Sequence, residues 1–68
     1  MNKETKYILK WIKDKGYVGP MCSFVKMIEA VRYDSIESVR EAQTRIKNGF
    51  NSDTKIFELI IILGEEIE

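Results

Sequence analysis

The stretch that most constrains this chain is its last, KIFELIIILGEEIE over residues 55–68. On a helical projection Ile56, Ile60, Leu63 and Ile67 share one face, with Phe57 and Ile61 on one flank and Leu59 and Ile62 on the other. Within the first two turns only Glu58 breaks the ring. A helix that is apolar on every side has to be covered on every side. A chain of 68 residues has little to cover it with, since a domain of that size buries only about 60% of its unfolded surface.

Small folds usually compensate with disulfides, a metal or a partner subunit. Cys22 is the only cysteine, which excludes a disulfide within the chain, and the absence of histidine argues against a structural zinc site. A partner subunit, or close helix packing, is what remains. The single cysteine and the lack of a leader-like start point to a reducing cytoplasm. No apolar run approaches the roughly 20 residues needed to cross a bilayer.

Periodicity predicts an all-α fold: a single domain over residues 1–68 built as a bundle of four short helices. The first covers 2–15, where Tyr7, Ile8, Trp11 and Ile12 fall on one face and Lys3, Lys6, Lys10 and Lys13 on the other. Gly16 then suits the C′ position, and GYVGP (16–20) is a connector. Pro20 opens a second helix, 20–32, whose apolar face is Met21, Phe24, Val25, Ile28 and Val31. Asp34 or Ser35, with Glu37 following, caps a third helix over 35–48 that stops at Asn48-Gly49. NSDT (51–54) caps the last, 53–66. A strand competes for that final segment because Ile60, Ile61 and Ile62 are β-branched. Its length, its caps and the want of a second convincing strand favour the helix.

Three short helices cover about two-thirds of the circumference of a fourth, at helix diameters of about 10–12 Å. The expected cover for the rest is a second copy, so Phe57, Leu59, Ile60, Ile61, Ile62 and Leu63 form the predicted interface of a homodimer. Each such side chain contributes roughly 1.5–3 kcal/mol when buried.

Chemistry is sparse. Without histidine the usual general base is missing, no phosphate-binding glycine loop is present, and Cys22 among apolar neighbours reads as a structural thiol. Glu65, Glu66 and Glu68 read as a solvated tail. The expectation is therefore no enzyme and no cofactor. The leading reading is a protein-binding module, an inhibitor, adaptor or regulator that occupies a partner protein's surface. Eight lysines to three arginines and abundant isoleucine accompany AT-rich coding, hence low-GC bacteria and their phages and mobile elements.

The second reading is a DNA-binding regulator. Residues 24–48 read as helix, turn, helix, with Arg40, Gln43, Thr44, Arg45 and Lys47 available to bases and phosphates. Zero net charge weighs against it. The third is an oligomer that sequesters a small anionic ligand, using the stripe Lys3, Lys6, Lys10 and Lys13. Charge is in fact unevenly spread: five lysines against two acids in residues 1–15, and one lysine against five acids in residues 51–68.

Overall fold

The computed structural model describes residues 2–63, and the side chains of residues 3–62. It is an antiparallel sheet with one helix laid across it, which overturns the four-helix bundle. The elements run β1 (Asn2–Trp11), β2 (Tyr17–Val18), β3 (Phe24–Val25), α1 (Ile36–Phe50) and β4 (Thr54–Leu63), with single 3-10 turns at Pro20–Cys22 and Met27–Glu29. The strand order is β3-β2-β1-β4.

The organising contact joins the two long strands. β1 and β4 pair in register over their full length, from Asn2 opposite Leu63 to Trp11 opposite Thr54. The predicted helix 2–15 is therefore β1 plus a hairpin loop. Its sequence fits two periods: Tyr7, Ile8, Trp11 and Ile12 suit a helix, while Tyr7, Leu9 and Trp11 alternate with Lys6, Ile8 and Lys10 as a strand requires. The facing of the side chains follows the alternation. Tyr7, Leu9 and Trp11 turn toward the helix, whereas Ile12 is largely exposed. The predicted helix 53–66 is β4 as far as Leu63, with residues 64–66 outside the described part, as are Ile67 and the acidic cluster Glu65, Glu66 and Glu68. The β-branched Ile60, Ile61 and Ile62 find in β1 the strand partner that sequence reading lacked.

The predicted helix 20–32 is replaced by two 3-10 turns around β3. Pro20 does open a turn, but Met21 and Cys22 take left-handed φ values of 58°, which no continuing helix allows. Cys22 is thus a half-buried loop residue. At the hairpin between β1 and β2, Trp11 N–H donates to the Gly16 carbonyl at 3.2 Å, and Gly16 takes φ 103°. The glycine serves a strand turn and not a helix cap.

The third helix is where the sequence placed it. Ser35 is its N-cap, accepting from Ser38 N–H at 3.1 Å. At the other end the helix runs through Gly49 and closes on Asn51 in the left-handed region, whose N–H donates to the Lys47 carbonyl. Val39, Ala42 and Ile46 press its buried stripe onto Leu9, Trp11 and Val18, with Tyr7, Tyr33, Cys22 and Ile56 around them. Trp11 also stacks at 4.9 Å on Phe24 and donates its indole N–H to the Ser23 carbonyl.

Among the described residues, no α-helix covers the opposite face of the sheet. There Ile8 is nevertheless only 1% exposed. Its cross-strand neighbour Phe57 and the ring of Tyr17, in edge contact at 6.3 Å, stand on the same face and close over it.

Because Leu9 lies at the centre of the helix–sheet contact with no exposure, Leu9→Ala is expected to lower unfolding free energy by about 2–5 kcal/mol. Ile28→Ala, at a site three-quarters exposed, should stay within about 0.5 kcal/mol of the parent. Urea denaturation followed by tryptophan fluorescence compares the two.

Candidate functional site

A sheet has two edges, and this one treats them differently. At the β3 edge the strand is two residues long and ends in turns, a short edge that gives an approaching strand little to pair with. The other edge is β4, ten residues long. Between Leu59 and Leu63 it carries no charge, proline or glycine.

Hydrogen-bond phase determines which groups that edge offers. Tyr7 exchanges both backbone bonds with Tyr33 on the far side of β1, at 2.8 Å each. Odd residues of β1 thus point away from β4, and even ones point toward it. Ile12 N–H donating to the Asp53 carbonyl at 3.3 Å continues the same phase. With the observed register, Lys55, Phe57, Leu59 and Ile61 turn their backbone groups inward to β1. Thr54, Ile56, Glu58, Ile60 and Ile62 turn theirs outward.

One of these five is already occupied. Gln43 on α1 donates its side-chain N–H to the Thr54 carbonyl at 2.8 Å, closing the edge where the helix reaches it. The Thr54 hydroxyl beneath is buried with no partner among the described residues. Beyond it, no described residue bonds the outward groups of Ile56, Glu58, Ile60 or Ile62. Apart from the exposed Glu58, the side chains along this stretch are apolar, and three of them are open: Phe57 is 42% exposed, Ile60 47% and Ile62 63%.

The predicted interface residues therefore do lie together, though on a strand and on two faces. Ile60 and Ile62 stand on the helix side, opposite Thr5 and Lys3, past the end of the covered core; Phe57, Leu59 and Ile61 stand on the other side. The Leu63 side chain is outside the described part.

The lysine stripe is dispersed by the strand. Lys3 falls on the helix side, Lys6 and Lys10 on the opposite face, and Lys13 in the hairpin loop. Lys6 pairs with Asp34, whose hydrogen bond and charge push the ammonium pKa up. Lys10 sits directly across from Lys55, a like-charge pair that gains nothing for the sheet.

On α1 the proposed base-reading set is divided. Arg40, Thr44, Arg45 and Lys47 are exposed, but Gln43 turns inward to Thr54 and Lys47 reaches Asp53 at 3.0 Å. Thr44 donates its hydroxyl back to the Arg40 carbonyl at 3.0 Å. The helix that should precede the turn is β3 and a 3-10 turn, so the helix–turn–helix over 24–48 does not form.

Sequence reasoning missed Gln43 as an edge cap and Tyr33 as the bridge to β1. Neither has a local signal, since both depend on where the sheet lies. Burial raises the Tyr33 phenol pKa, partly offset by the Arg45 guanidinium. Tyr33 and Arg45 line a cleft of about 250 Å³ with Cys22, Ala42, Ile46 and Phe50. Another of about 250 Å³ lies beneath Gln43, Lys47, Asp53 and Thr54. Among the described residues no three metal-ligating side chains converge, and no helix is long and apolar enough to cross a membrane.

Comparison with protein families, with curated proteins and with solved structures finds no match to this chain.

The Gln43 contact makes a direct prediction. Gln43→Ala strips the partner from a part-buried carbonyl and should cost about 1–3 kcal/mol of stability. Thr44→Ala, which loses only a bond within the helix, should change it by less than about 0.5 kcal/mol. Urea midpoints of the two variants give the comparison.

Proposed function

We propose that the protein is a non-enzymatic protein-binding module whose working surface is the outer edge of β4. One observation carries this: four consecutive outward-facing positions, Ile56, Glu58, Ile60 and Ile62, have backbone groups bonded to no described residue, flanked by exposed Phe57, Ile60 and Ile62. A strand added there gains backbone hydrogen bonds for affinity, and pockets between alternate side chains for selectivity. Such an edge is otherwise a liability that proteins blunt with charge, proline or a bulge.

This keeps the regulator, inhibitor or adaptor reading and replaces its mode of contact. An added strand occupies the position of the helix face expected from the sequence. A reducing, cytoplasmic setting fits the lone free thiol of Cys22. The nucleic-acid reading loses its helix pair, and the anion-sequestering reading loses its single lysine face.

Proline tests the edge selectively. Ile60 N–H points outward, so Ile60→Pro removes a donor from the edge without removing a β1–β4 bond, as edge strands tolerate. In a bacterial lysate the tagged parent chain should migrate in a nuclease-resistant complex, by size exclusion, that Ile60→Pro abolishes while native circular dichroism persists. A complex unaffected by Ile60→Pro and Ile60→Lys, or one dissolved by nuclease, would refute the proposal.

A further inference from the structure

We infer that the strand received by β4 is β4 of a second copy, laid antiparallel with the two-fold axis at Leu59; this rests on the β4 edge being the working surface. Symmetry restricts the choice first. A two-fold axis relating neighbouring antiparallel strands stands perpendicular to the sheet, so residues brought opposite must share a face. Paired residue numbers therefore sum to an even value. The outward phase requires the hydrogen-bonded positions to be even in both copies.

The four open positions then select the axis. Ile56 and Ile62 are equidistant from residue 59, as are Glu58 and Ile60. An axis at Leu59 sets Ile56 opposite Ile62 of the second copy and Glu58 opposite Ile60, so every open group finds a partner within the same set. The antiparallel pattern gives about eight backbone hydrogen bonds across the seam, within the usual complement of a protein interface of about 10 ± 5.

Neighbouring registers are worse. An axis at Glu58 places two carboxylates directly opposite, which is repulsive, and sets Ile62 against Thr54, whose carbonyl Gln43 already holds. An axis at Ile60 pairs only three of the four open positions within the described part of β4. Gln43 thus does more than cap a carbonyl. It closes the Thr54 end of the edge, so that the open described positions are centred on Leu59.

Side chains agree with that register on both faces. On the helix side Ile62, more exposed than Ile60, meets Ile56, and Ile60 meets the stem of Glu58. On the other side Leu59 meets its own copy, and the exposed Phe57 meets Ile61. The product is a continuous sheet of twice four strands, ordered β3-β2-β1-β4-β4-β1-β2-β3, with both helices on one face.

The register has a covalent signature. Leu59 opposite itself is a non-hydrogen-bonded pair, with Cα atoms about 4.5 Å apart, inside the range a disulfide accepts. In a Cys22→Ala background, mild oxidation of Leu59→Cys should give near-complete covalent dimer, whereas Lys55→Cys, set opposite Leu63, should give almost none. Sedimentation of the purified parent should show the mass doubling with concentration, while Ile60→Pro and Ile60→Lys remain at single-chain mass. A parent chain that sediments as one copy at its highest soluble concentration overturns the inference. It leaves the edge reading intact if the lysate complex still depends on Ile60. A dimer in which Lys55→Cys links and Leu59→Cys does not overturns the register.

Discussion

The structure depends on one pairing, the ten-residue antiparallel ladder between β1 and β4. It brings together the first and last described strands. It places Leu9 beside Ile56 to make the floor on which α1 sits, and it holds Phe57 over Ile8 on the other face. Removing it would strip α1 of the Ile56 side of its floor and leave β1 paired only with the short β2 and with Tyr33. Closing so long a loop carries an entropic cost that grows only slowly with length. A pairing this distant in sequence is thermodynamically tolerable, though it forms more slowly than local structure.

The same pairing explains which parts of the fold were legible. The start and body of α1 could be read because their information is local, a Ser35 cap and a narrow stripe of Val39, Ala42 and Ile46, whereas its end lies at Asn51, past the Asn48-Gly49 stop that the sequence suggests. The strands could not, because each is the other's principal evidence. Residues 53–66 read as helix from their length, their caps and the want of a strand partner, and residues 2–11, the partner, satisfy the helical period as well as the strand one. Ile12 was the discordant residue. A helix buries it with Ile8, whereas the alternating strand leaves it out.

Of the candidate surface, composition was visible and geometry was not. That Phe57 and Leu59 to Ile62 exceed what so small a fold can bury was apparent from the chain itself. The contact mode changes because a strand presents unpaired backbone where a helix presents only side chains. Which backbone groups are open follows from register and from the Gln43–Thr54 contact, neither of which leaves a trace in local sequence. The lysines of residues 3–13 show the converse. They make one stripe on a helix, and on a strand they scatter to two faces and a loop.

The most direct measurement is a nuclear Overhauser spectrum of the Ile60→Pro variant, whose edge is blocked. Hα–Hα contacts are expected between Leu9 and Ile56, and between Tyr7 and Glu58, the non-hydrogen-bonded pairs of the ladder. Helical contacts three residues apart within 55–62, with no cross-strand Hα–Hα contact to residues 5–9, would contradict the pairing and everything built on it.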